Sequence, residues 1–86
     1  MTPGRPIRLL YFAAIRERMG LSAEELELPD EVRDVAGLAR YLEGSRPALR
    51  GLLASVRFAV GDEFASLDRV IEAHAVVALI PPVSGG

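Results

Sequence analysis

The residues best suited to chemistry in this 86-residue chain are its last six, Pro81, Pro82, Val83, Ser84, Gly85 and Gly86. Two prolines cannot continue a sheet ladder and favour stiff, extended backbone, so they project the last four residues away from a folded body. Val83 offers one apolar grip. Gly85 and Gly86 lack side chains, which lets a terminus thread a narrow channel and lets partner backbone approach closely. The reactive group is then the α-carboxylate of Gly86. A carboxylate is inert toward nucleophiles until it is activated. Adenylation makes it an acyl-AMP with a good leaving group, and persulfide attack then leads to a thiocarboxylate. That sequence of events needs an unhindered terminal glycine and an ATP-using partner, because the chain has no phosphate-binding loop of its own.

Other chemistries find little support. Cysteine is absent, which removes thiolate nucleophiles, disulfides and zinc-thiolate sites. The single histidine, His74, builds no metal site unaided and reads as a turn residue, so no metal ligand is assigned. Asp30, Glu31 and Asp34 read as a solvated loop and a helix cap rather than a cation site. All ten basic side chains are arginine, which excludes Schiff-base chemistry on the body. A net charge of −2 and a pI near 5.3 argue against nucleic-acid or anionic-membrane partners, which call for a basic face. No stretch has the form of a signal peptide or the length of a membrane span, so a cytoplasmic protein is expected. A chain this short builds a modest core with little room for an internal cleft, which places any chemistry at a terminus or at a shared surface.

The elements that must hold the tail can be read from periodicity. Residues 1–6 form a proline- and glycine-rich lead-in. Residues 7–12 alternate as a strand, with Ile7, Leu9 and Tyr11 on one face and Arg8, Leu10 and Phe12 on the other. A short helix over 13–19 stops at Gly20, and 24–28 is a half-buried strand with Leu26 and Leu28 inward. Asp34 caps the main helix, whose stripe is Val35, Leu38, Ala39 and Leu42 and whose end is marked by Gly44. Pro47 opens a shorter helix carrying Leu49, Leu52 and Leu53. Strands come next at 56–60, around Phe64, and at 75–80. This order predicts a single α+β domain over 1–86. A mixed sheet of four to five strands packs on one main helix, and 81–86 forms an extended tail.

The sheet face turned away from the helix should be polar in a lone protein. Instead it offers Leu10, Phe12, Ala59, Val76, Ala78 and Ile80, with Phe64 nearby. An apolar patch beside the root of the tail reads as a protein-binding surface, the alternative being cover by the chain's own loops.

Three segments carry a family resemblance: LLYFAAIRERMG at 9–20, VRFAVGDEFASLD at 56–68 and VALIPPVSGG at 77–86. They resemble the MoaD family, the small sulfur-carrier subunit of molybdopterin synthase and one of the ubiquitin-like sulfur carriers. The resemblance implies a β-grasp (ubiquitin-like) fold. It also implies adenylation of Gly86 by a MoeB-type enzyme that uses ATP, and conversion of that residue to a 1-thioglycine, the thiocarboxylate. The tail then enters a MoaE-type large subunit and donates sulfur to cyclic pyranopterin monophosphate in molybdenum cofactor biosynthesis. By the same resemblance the catalytic side chains belong to the large subunit, in a heterotetramer, and the small chain binds no cofactor. Phe12, Phe64 and Ile80 match the family's apolar contact patch, and Arg16 a basic residue at its rim. The chain departs from the family at Gly61, where relatives often carry Asn. It departs again at Glu72-Ala73-His74-Ala75, in place of an acidic, glycine-containing turn. Two alternatives stand beside this one: a related carrier or modifier serving thiamine, cysteine or tRNA thiolation, and a plain binding module with an idle tail.

Overall fold

The computed structural model describes residues 4–82. Its first strand, β1 (Arg5–Tyr11), is followed by helix α1 (Ala13–Met19), strand β2 (Ala23–Leu28) and the main helix α2 (Val35–Ser45). Two 3₁₀ turns, Pro47–Leu49 and Leu53–Ser55, lead into β3 (Arg57–Val60), β4 (Glu63–Ala65) and β5 (Val76–Ile80). The five strands form one mixed sheet in the order β2-β1-β5-β3-β4. The last strand therefore lies in the middle, parallel to β1 and antiparallel to β3.

Alternation decides which side chains fill the core. Ile7, Leu9 and Tyr11 of β1, Phe58 and Val60 of β3, and Val77 and Leu79 of β5 all point to one face. There they meet Val35, Leu38 and Leu42 of α2, with Ile15 of α1 closing one end. Burying each large aliphatic or aromatic side chain contributes about 1.5–3 kcal/mol. Asp34 caps α2 as the sequence suggests, its carboxylate accepting from the Gly37 amide at 2.8 Å.

Three boundaries differ from expectation, each for a local reason. The lead-in is already ordered at Arg5, which pairs with Leu28 in β2. Its guanidinium donates to the Ile71 carbonyl at 2.6 Å and to the Val32 carbonyl, tying the start of β1 to two loops. Helix α2 runs through Gly44 and stops after Ser45. The stop is imposed by Pro47, whose ring excludes its predecessor from the α region: Arg46 sits at φ −129°, ψ 89°. The shorter helix expected after Pro47 is split into two 3₁₀ turns around Gly51, which adopts φ +83°.

Both departures from the resembling family include a residue in left-handed backbone. Gly61 closes the β3–β4 turn at φ +65°, a conformation that Asn, its frequent counterpart, also tolerates. His74, within the second departure, adopts φ +69° in the turn before β5, a conformation that favours glycine. Its amide donates to the Pro6 carbonyl at 2.6 Å, which holds the turn in place despite the side chain.

Candidate functional site

The tail root leaves the sheet from its centre. β5 ends at Ile80, and Pro81 and Pro82 come after it, outside the ladder. Val83, Ser84, Gly85 and Gly86 lie outside the described residues.

The face around that root is built row by row from the strand register. One row runs Ala23, Leu10, Ala78, Ala59, Phe64 across all five strands. The next row, nearest the tail, sets Arg57 of β3 opposite Ile80. Carrying the β1–β5 register one step beyond Tyr11–Leu79 brings Phe12 level with Ile80. Phe12 is the N-cap of α1 rather than part of β1, and its carbonyl accepts from the Arg16 amide one turn on at 3.3 Å. Phe12, Phe64 and Ile80 thus fall on one face of the sheet, with Arg16 one helical turn beyond Phe12.

Burial across this face is graded. The two alanines are covered, at 7% for Ala59 and 8% for Ala78, because larger neighbours flank their small side chains. Phe12 and Phe64 stand proud at 45% and 58% exposure. A floor of alanines between two raised phenylalanines makes an apolar saddle beside the place where the tail departs.

Two features were not singled out from sequence. Arg57 lays its guanidinium over the Phe64 ring, 4.1 Å from the ring centre. Parity could have placed it, since Arg57 shares the face of Ala59. The second is a polar node on the core side of β2. Glu24 accepts from the Tyr11 hydroxyl and takes both Nε and Nη2 of Arg46, at 3.0 and 3.2 Å. Burial pushes the Glu24 carboxyl up, but the hydrogen bonds from Arg46 and Tyr11, with the Arg46 charge, outweigh it and hold the group below the usual carboxylate range. Burial and the same carboxylate raise the Tyr11 phenol well above its ordinary value. The inward parity of Leu26 and Leu28 carries over to Glu24 and was the available signal. The node locks the end of β1, one residue before Phe12, to β2 and to the end of α2.

His74 is remote from all of this. It borders a shallow depression of about 200 Å³ with Arg8, Glu25 and Val76, at the opposite end of β5 from the tail. Among the described residues no group of three or more His, Cys, Asp or Glu side chains is placed to hold a metal ion. No helix among them is long and apolar enough to cross a membrane.

A five-stranded mixed sheet clasping a helix, with a tail issuing from its central strand, is the ubiquitin-like β-grasp architecture. Comparison with solved structures agrees. SAMP1 from Haloferax volcanii superposes with a TM-score of 0.80 at 26% identity, covering 94% of this chain and 99% of that one. The complex of subunits 1 and 2 of molybdopterin-converting factor from Helicobacter pylori contains a chain of the same fold. Its TM-score is 0.69 at 22% identity, over 94% of this chain and 99% of that one. The ThiS family model matches residues 9–86. The human molybdopterin synthase sulfur carrier subunit is 32% identical over the full length of both chains. The chain belongs to the ThiS family, and the resemblance drawn from its three segments is borne out.

Proposed function

We propose that this chain is the sulfur-carrying small subunit of a molybdopterin synthase, with Gly86 as the loaded residue. An activating enzyme of MoeB type adenylates the Gly86 carboxylate with ATP, releasing pyrophosphate. A persulfide attacks the acyl carbon and AMP leaves. Thiol reduction of the resulting acyl disulfide frees the thiocarboxylate, a 1-thioglycine. The loaded tail, threaded through Pro81, Pro82, Val83, Ser84 and Gly85, then donates sulfur to cyclic pyranopterin monophosphate within the large subunit. Catalytic side chains reside on that larger partner, in a heterotetramer of the two kinds of chain. This chain acts in the cytoplasm and holds no cofactor of its own.

The observation that carries this reading is the position of the tail root. A chain of the ThiS family, full-length kin to molybdopterin synthase sulfur carrier subunits, releases its tail from the central strand beside an apolar saddle. The Helicobacter pylori neighbour, captured as a complex of subunits 1 and 2, supports a larger partner for that saddle. Phe12, Phe64 and Ile80 form the apolar contact and Arg16 its rim.

The decisive experiment is intact-mass spectrometry after incubation with a MoeB-type enzyme, ATP and a sulfur donor. The expected result is exchange of one oxygen for sulfur at Gly86. A variant lacking Gly86, or extended by one residue, should show no exchange yet melt like the parent, since every core residue lies between Ile7 and Leu79. An unmodified wild-type mass would overturn the reading.

A further inference from the structure

Charge is distributed unevenly over the apolar face. At the end remote from the tail, Arg8 is neutralised by Glu25 at 3.3 Å, and Glu27 lies beyond it on edge strand β2. At the tail end, the cross-strand rows hold one charged side chain, Arg57, with Arg16 beyond Phe12. At net charge −2 overall, the described strand rows at the tail end of this face therefore show a cation and no anion.

The setting of Arg57 is specific. Its guanidinium carbon lies over the Phe64 ring, 4.1 Å from the ring centre and within cation–π range. Among the described residues it makes no ion pair and no side-chain hydrogen bond. Arg46, Arg69 and Arg5 are committed elsewhere, to Glu24, to Glu63 and to two carbonyls. A planar fork of five donors, pre-oriented by a ring and uncommitted, is matched by a carboxylate.

Building on the functional reading above, we infer that Arg57 is a specificity-determining contact: stacked on Phe64 at the tail root, it takes a carboxylate of the docking protein. The partner surface that covers the saddle is thus apolar at its centre and acidic at the rim facing β3. The phenylalanines supply buried area, and the arginine sets register, so that an apolar surface without that acid is rejected.

The test is equilibrium binding of the full chain to the large synthase subunit of the same source at several ionic strengths. Arg57→Gln should weaken binding about tenfold and flatten its salt dependence, and Arg57→Glu should weaken it about a hundredfold through like-charge contact. Arg57→Lys, which keeps the charge and loses the planar stack, should fall between wild type and Gln. Melting temperatures should stay at the wild-type value, because the side chain is exposed. If Arg57→Glu binds as tightly as wild type, or if the salt dependence of Arg57→Gln is unchanged, the role of Arg57 is overturned while the functional reading stands. If the wild-type chain does not bind that subunit at all, both are overturned.

Discussion

Replacing Glu24 by Gln keeps the size of the side chain and removes the charge on which three hydrogen bonds from two side chains converge. Arg46 loses two charge-assisted hydrogen bonds, at 3.0 and 3.2 Å, and faces an amide that cannot take its fork. Hydrogen bonds to charged groups contribute about 1.5–3 kcal/mol when buried. Here both side chains keep about a quarter of their surface in water, at 24% and 23%, so solvent screening reduces the gain. The net expectation is a loss of about 2 kcal/mol, which for a domain of this size lowers the melting temperature by about 8–16 °C. The pH dependence gives a second signature. The Glu24 carboxyl is held below its ordinary value in the folded state. Its stabilisation is therefore complete above the unfolded pKa of about 4.3 and is lost as pH falls through the folded value. Wild type should lose stability over that acid window more steeply than the Gln variant, and the two curves should converge at low pH. Urea denaturation followed by circular dichroism from neutral to acid pH measures both effects. A loss under about 0.5 kcal/mol at neutral pH, in the range of an ordinary surface pair, would refute the node. Parallel acid limbs would do the same.

Two further outcomes rest on local geometry. Phe12→Asp should cut affinity for the large subunit at least tenfold without changing the melting temperature, because the ring is exposed in the free chain and a charge buried unpaired at an interface is costly; calorimetric titration showing unchanged affinity would remove Phe12 from the interface. His74→Gly should raise stability by up to about 1 kcal/mol, since glycine accepts φ +69° without the penalty a side chain incurs there. A drop in melting temperature would show that the imidazole itself supports the turn.

Strict alternation made the sheet legible. Leu9, Phe58, Val77 and Leu79 were assignable to the core face because a period of two admits no other arrangement once one face is buried. The same rule exposed the apolar saddle, and the capping Asp34 fixed the start of α2. Helix ends were harder to read. Gly44 looked like a stop, yet glycine is merely tolerated inside a helix, whereas Pro47 acts through sterics on the residue before it. Polar contacts between distant segments were harder still. Parity turns Glu24 inward but does not name Arg46, 22 positions away, and nothing in the pattern pairs Arg5 with Ile71, 66 positions away. Arg57 passed as one surface cation among ten until the ladder placed it against Phe64.

The central position of β5 bears on how the tail withstands handling by other proteins. A partner tugging at Pro81 loads the strand along its own axis, against β1 on one side and β3 on the other. Both ladders must then slide together rather than peel open bond by bond. Had the tail hung from an edge strand such as β4, an unzipping force would meet one pairing at a time. The body is therefore anchored in shear, so that a pull on Pro81 is met by both ladders at once.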